Sequence, residues 1–249
     1  NDMSYFKTPN DFYLEVERGN VPNAKIIRRS GRNPNITSSS APEDLWNGSA
    51  PYTGFPTSSP ETLQFFSSSA SDMGVLTYSY LATSASTVWT TTTVTLNGTT
   101  PVSGVSAYRA LPGIYQSGSA TTFNVGTLTC RHTTTTANVF FQLPIGRSRT
   151  YVCAYTVPAG STAYLFHIEG AVNSTSNVNL EMAVWSRPLG GSPILDENFT
   201  ISNSYDYIRN YKGGYKFVGG TDLTIRIISS TSNSGQIVTG GFALIEFKN

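Results

Sequence analysis

Charge is scarce in this chain of 249 residues: Asp, Glu, Lys and Arg make up 12% of it and leave a net charge of +1. That is about half the ~25% share usual in globular domains. A general nucleic-acid binder needs a broad basic surface, which this balance cannot supply. Histidine is rarer still. His132 and His167 are the only two, and neither stands in an H-x-H, H-E-x-x-H or Cys/His cluster, so a zinc or non-haem iron site has almost nothing to be built from. Cysteine is limited to Cys130 and Cys153, too few for a disulfide-stapled secreted scaffold. The expected state is two isolated thiols on strands, with a single bridge open if those strands are neighbours. No run of 18 apolar residues exists to span a membrane. The first 19 residues lack an apolar core and are not expected to form a signal peptide. Neither a G-x-S-x-G elbow nor a G-x-x-x-x-G-K-[ST] loop occurs, which removes the common serine hydrolase and phosphate-loop chemistries.

Hydroxyls and aromatics fill the space that charge leaves. The chain holds 31 Ser and 32 Thr, a quarter of its length, and 12% aromatics, which excludes a disordered polymer of high charge and few aromatics. Helical periodicity is almost absent, while β-branched and aromatic runs bounded by Gly, Pro, Asn and Ser recur at short spacing. Phe12–Arg18 reads as a strand, Ala24–Arg29 as a second, and 36–60 as an ordered, irregular arm around Trp46. Strands are placed at Val75–Ala82 and Thr87–Leu96. Asn97-Gly98 is suited to a type I′ hairpin turn joining Thr93–Leu96 to Thr99–Val102. Eight strands follow, at Thr136–Leu143, Thr150–Val157, Thr162–Val172, Asn177–Arg187, Tyr205–Tyr211, Tyr215–Val218, Asp222–Ser229 and Ile237–Phe247. Leu180, Met182 and Val184 alternate with Glu181, Ala183 and Trp185, and Leu223, Ile225 and Ile227 alternate with Thr224, Arg226 and Ile228. Period-2 alternation with one apolar face is what a sandwich strand needs. The expectation is an all-β protein: an extended amino-terminal arm over 1–60, a smaller β-region with a hairpin over 61–120, and a jelly-roll β-sandwich over 121–249.

Few residues offer chemistry. Paired carboxylates would suit glycoside hydrolysis, but Glu43-Asp44 and Asp196-Glu197 are adjacent in sequence and project to opposite sides of a strand. Glu169, Glu181 and Asp206 stand alone. No catalytic residue and no cofactor is expected. The densest local charge is Lys25, Arg28, Arg29 and Arg32, which fits either an acidic partner surface or a solvated strand edge that resists aggregation. With Trp46 these four are the candidate partner-binding residues. Tyrosines crowd at Tyr205, Tyr207, Tyr211 and Tyr215, and Tyr205 and Tyr207 share one strand face. Aromatic platforms serve sugar stacking and protein interfaces alike, and half-buried sandwich positions as well.

Several runs carry a resemblance when taken together. Glu17-Arg18-Gly19-Asn20-Val21-Pro22, then Gly31-Arg32-Asn33-Pro34, then Pro42-Glu43-Asp44-Leu45-Trp46 resemble the start of a family of structural proteins from tailed bacteriophages, where a G-x-x-P turn, a G-[RE]-N-P turn and a P-E-D-[IL]-W segment follow in that order. Val94-Thr95-Leu96-Asn97-Gly98-Thr99-Thr100-Pro101-Val102 is similar to the family's V-T-L-N-G-T-T-P-V hairpin. Tyr155–Leu165 is similar to the strand-turn-strand that opens its carboxy-terminal jelly roll. The plainer, Thr-rich Ser84–Thr93 departs from the polar strands of the family. The resemblance implies a virion protein without enzymatic activity. The expected role is a capsid decoration or cement protein on the phage head, with the major capsid protein and itself, as a homotrimer, for partners, and with neither nucleic acid nor membrane. The alternative is a tail or fibre protein that binds host glycans through its jelly roll, by way of Tyr205, Tyr207 and Tyr211.

Overall fold

The computed structural model describes residues 9–48, 50–118, 123–173, 177–202 and 206–249, with side chains from residue 12 onward. In chain order, a short helix α1 (Pro9–Glu17) precedes β1 (Ala24–Ile36) and β2 (Glu43–Asp44). Seven strands follow: β3 (Glu61–Ser67), β4 (Val75–Leu81), β5 (Thr90–Thr95), β6 (Val102–Ala107), β7 (Arg109–Gln116), β8 (Leu128–His132) and β9 (Val139–Leu143). The rest are β10 (Ala154–Thr156), β11 (Ser161–Asn173), β12 (Asn179–Arg187), β13 (Ile194–Ser202), β14 (Asp206–Asn210), β15 (Lys216–Val218), β16 (Asp222–Ser230) and β17 (Gln236–Lys248). The all-β expectation holds, and the strands pair antiparallel throughout. Among the described residues no helix is long and apolar enough to cross a membrane.

Two sheets form a jelly roll. One runs β1-β17-β11-β14, with β15 also on β11; the other runs β10-β16-β12-β13, with β2 also on β16. Counting β1, β10, β11, β12, β13, β14, β16 and β17, the first strand pairs the last, the second the seventh, the third the sixth and the fourth the fifth. That is one long hairpin rolled on itself, the wrapping of a jelly roll. The alternation seen in the sequence does its work here. Leu180, Met182 and Val184 of β12 and Leu223, Ile225 and Ile227 of β16 turn into one buried core with Leu165, Ile168 and Leu244 from the other sheet.

The expected division at 60 and 120 does not follow the pairing. β1 and β2, placed in the arm, are strands of the jelly roll, since Ala24 lies opposite Phe247 and Asp44 opposite Arg226. β8 and β9, placed in the jelly roll, belong to a second β-sandwich. This insert occupies β3 to β9 in two sheets, β6-β3-β8-β9 and β5-β4-β7, around Leu63, Phe65, Leu76, Tyr78, Phe140 and Phe141. It therefore lies between the first and second strands of the roll. The chain leaves and returns through a neck in which Cys153 N donates to Leu45 O at 3.0 Å and Asn47 Nδ2 to Thr150 Oγ1 at 2.6 Å. Gly31 of β1 lets this neck approach, because a Cβ there would sit 2.0 Å from Leu45 O and 2.7 Å from Cys153 Cβ.

Charge is buried where insert and roll meet. Arg109 of β7 donates Nε and Nη2 to the two oxygens of Asp222 on β16, both at 2.9 Å. Thr156 Oγ1 and Arg187 Nη2 also donate to Asp222, at 2.6 and 2.7 Å. Arg109 Nη1 reaches the carbonyls of Pro56 and Tyr108. Nearby, Phe55 stacks on Trp185 at 5.8 Å, and Trp89 stacks on Tyr155 at 5.8 Å while donating Nε1 to Thr156 O.

Two local expectations are corrected. The segment expected as a strand over Phe12–Arg18 is helix α1. Pro9 opens it and Gly19 follows its end, where Gly19 N donates to Val16 O and Asn20 N to Glu15 O, the paired bonds of a Schellman motif. Val16 is buried beneath it, and Tyr13 stacks on Phe166 at 4.6 Å. The type I′ hairpin is also absent. Only Gly98 has a positive φ (+57), and Asn97 O accepts from Thr100 N, so Gly98 sits first in the turn, as type II′ requires. The flanking strands do not pair: β5 joins β4 while β6 joins β3, and the turn carries the chain from one sheet of the insert to the other.

Candidate functional site: the open face of the jelly roll

The two sheets of the roll are treated differently on their outer sides. The insert covers the second sheet, and Trp185 of β12 accordingly belongs to the insert's core. On the first sheet, α1 packs near Ile245 and Phe247, leaving the other end of the face open. The outward residues there on the central strand β17 are small, Thr239, Gly241 and Ala243. β-Alternation and register set longer ones beside them, Arg28 and Arg32 on β1 and His167 and Glu169 on β11. Small side chains flanked by long ones make a trough. One part of it holds about 390 Å³ and is lined by Ser30, Arg32, Tyr151, Glu169, Asp206 and Ile208. Tyr151 is 51% exposed and supplies the available aromatic surface. Arg32 stands on one side, Glu169 and Asp206 on the other. His167 Nδ1 lies 2.7 Å from Asn210 Oδ1, which orients the ring along the sheet. Both carboxylates are exposed, and the trough is open to solvent.

The basic cluster is divided by strand alternation. Lys25 pairs with the buried Glu246 at 2.8 Å, and that carboxylate also accepts from Tyr155 OH. Arg28 pairs with Glu17 of α1. Arg29 turns inward over the Tyr155 ring at 5.4 Å. Arg28 and Arg32 flank the trough, and of the four only Arg32 lines its 390 Å³ part. Trp46 is a core residue and not a surface anchor: it is buried, its Nε1 donates to Ala50 O at 2.7 Å, and it meets Tyr52 edge-on. Its placement in a polar, turn-rich segment gave no sign that this segment folds back as the neck.

The tyrosine platform is likewise taken up by the fold. Tyr205 lies outside the described residues. Tyr207 borders the trough, but its ring stacks on Phe199 at 4.5 Å against the roll's core. Tyr211 meets Tyr215 edge-on under the Arg209 guanidinium, and burial pushes its phenol well above the usual range. Glu197 anchors this group by accepting from Arg209 and, at 2.5 Å, from Tyr215 OH.

The remaining candidates are structural. Asp44 accepts both Nε and Nη2 of Arg226 at 2.9 Å and the Tyr52 amide at 2.6 Å, while Glu43 holds Asn33. His132 is buried in the insert with Nε2 3.2 Å from Ala107 O. Cys130 and Cys153 are free thiols, and burial pushes both upward. Sequence reasoning missed Tyr151 and Ile208 because they stand in segments without a motif. It missed the Arg109–Asp222 pair because its members lie 113 positions apart.

No protein-family model and no curated protein matches the chain. Among solved structures, one of infectious bursal disease virus (Gx strain) aligns with 91% of this chain and 73% of its own at 8% identity, with a TM-score of 0.28. The VP2 subviral particle of the same virus aligns with 96% of this chain and 82% of its own at 7% identity, with a TM-score of 0.23. Likenesses this loose transfer neither fold nor function.

Proposed function

We propose that the chain is a non-enzymatic structural protein of a virion, and within that class a decoration or cement protein of a tailed-phage head that binds the major capsid protein as a homotrimer. The observation that carries this reading is where the family-like motifs fall. Glu17–Pro22 closes α1, Gly31–Pro34 passes the neck, Pro42–Trp46 forms β2 and enters the neck, Val94–Val102 crosses between the insert's sheets, and Tyr155–Leu165 turns β10 into β11. Each is a junction of the architecture, as expected when a resemblance reflects a shared way of building the particle rather than shared chemistry. The buried ionic groups point the same way, since Arg109, Asp222, Asp44 and Arg226 tie parts of the fold together. Mass spectrometry of purified particles tests it. Tens to hundreds of copies per particle are expected, absence from the particle overturns the virion reading, and a monomer by light scattering overturns the trimer.

A second reading is favoured by the trough: a tail or fibre protein that holds host glycan on the open face. Its residues would be Tyr151, Arg32, Glu169 and Asp206 rather than the tyrosines 205, 207 and 211. Glycan-array binding lost on Tyr151→Ala, together with a handful of copies per particle, would establish it.

A further inference from the structure

A pocket of about 260 Å³ opens beside β1 where the roll faces the insert, between Arg28, Arg29 and Ser30 on one wall and Ile114, Arg149 and Tyr151 on the other. Three arginines line it and no carboxylate does. Arg28 is answered by Glu17. Arg29 and Arg149 have no hydrogen bond or ion pair from their side chains among the described residues.

Arg29 is the unusual member. It points inward, its Nε is sealed from solvent without a partner, and the Tyr155 ring is the group that faces its guanidinium. An arginine does not shed its proton to escape burial, and this one is drawn partly inward with Nε unpaired, so an anion reaching the guanidinium from the pocket is favoured. The acids nearby are spoken for or turned away. Glu246 is held by Lys25 and Tyr155, and Glu169 lies on the outer face beside His167, at 3.6 Å.

We propose that this pocket binds a tetrahedral oxyanion, a phosphate or sulfate group, gripped between Arg29 on the roll and Arg149 on the segment returning from the insert. A carboxylate carries two oxygens in one plane. A tetrahedral ion offers further oxygens and accepts from both walls at once. Because one wall belongs to the roll and the other to the insert, a bound oxyanion also fastens the two sandwiches at the neck.

The test uses the full chain, titrated with inorganic sulfate, inorganic phosphate and acetate at matched ionic strength, followed by calorimetry and by thermal unfolding against sodium chloride. Sulfate and phosphate should bind at one site and raise the melting temperature, with acetate about tenfold weaker or more. Arg149→Ala, which removes an exposed side chain with no bonds to lose, should weaken sulfate by about tenfold or more. Arg147→Ala, on the same segment but outside the pocket, should leave it unchanged. A melting temperature that follows ionic strength alone, acetate binding as tightly as sulfate, or Arg147→Ala matching Arg149→Ala would each overturn the assignment. A sulfated monosaccharide separates the sources: binding tighter than inorganic sulfate identifies an ester group on a larger ligand, and weaker binding identifies the free ion.

Discussion

Replacing Asp222 with Ala should be the most damaging single change at the junction of the two sandwiches. The carboxylate is 2% exposed and faces Arg109, itself 1% exposed, and Arg187. Its removal strands a fully buried guanidinium, a change that costs about 3–5 kcal/mol in comparable buried pairs. The lost Thr156 bond adds about 1 kcal/mol, part of it already counted in that range. A loss near ~4 kcal/mol corresponds, at about 2–4 °C per kcal/mol for a chain of this size, to a fall of roughly 8–16 °C in melting temperature. Arg187→Gln should cost only about 1 kcal/mol, because the primary pair survives it. Arg109→Met combined with Asp222→Leu should recover most of the loss, since replacing both partners with apolar groups is often neutral. All three tryptophans lie at the neck or the junction, so their fluorescence in urea reports this region while far-ultraviolet dichroism reports the strands. In Asp222→Ala the two transitions should separate, with the junction opening first. A loss under about 1 kcal/mol with coincident transitions would mean that the Phe55–Trp185 and Trp89–Tyr155 stacks hold the junction and that the ionic network is incidental.

Gly98→Ala should cost about 1–2 kcal/mol from the left-handed backbone alone, and more from a Cβ placed 2.6 Å from Ala70 O. Hydrogen exchange should rise at residues 67–72 and 97–100, which that turn joins through Ser67 N to Gly98 O and Gly98 N to Asp72 O, and not along β5 and β6; uniform loss along both strands would restore the hairpin. Burial pushes the Asp196 carboxyl above its ordinary range, against a hydrogen bond from Ser186. A raised folded pKa makes the charged form a liability at neutral pH that fades as pH falls toward the unfolded value, so Asp196→Asn should stabilise at pH 7 and progressively less toward pH 4.5, near the carboxylate range; a gain that grows on acidification would refute this. Deleting residues 1–50 removes β1 and β2 and should abolish cooperative folding, whereas deleting 1–18 removes only α1 and should leave a folded chain by dichroism and melting. Cooperative melting of the shorter protein would make β1 dispensable.

What the sequence made legible was the class and the long strands of the roll. β11, β12, β16 and β17 are read almost to their ends because every second residue along much of each is a large apolar side chain that enters the roll's core. What stayed hidden was partnership. Period-2 alternation looks the same in β8 as in β10, yet β8 pairs with β3 in the insert and β10 with β16 in the roll. β1 pairs with the far end of the chain, and nothing local records a contact across that distance. The basic cluster failed as a unit for the same physical reason: neighbours in a strand point to opposite faces, so Arg28 and Arg29 meet different surroundings. α1 was misread although its boundaries were written in the chain. Pro9 and Gly19 bracket it, while the alternating Glu15 and Glu17 that suggested a strand also fall on a helix.

The outer faces of the roll show which surface remains for a partner. The first and second strands of a rolled hairpin lie in opposite sheets, so the link between them must cross the sandwich even when it is short. Here that link carries the whole insert, and its two ends run side by side through the neck, so inserting it need not pull the flanking strands apart. The insert then lies against the second sheet, whose outward Trp185 meets Phe55 and whose Asp222 meets Arg109. The first sheet has outward Arg28, Arg32, Glu169 and Thr239, and among the described residues it is covered only at the α1 end. The charge that the insert buries on the second sheet is met by a partner from the insert, as Asp222 is by Arg109, whereas Glu169 and Asp206 on the first sheet are exposed. The polar trough on the first sheet is therefore made for water or for a hydrophilic partner. A partner that contacts the roll must use that trough, the exposed side of α1 with Phe12 and Leu14, or the edge strands, because the second face is already occupied.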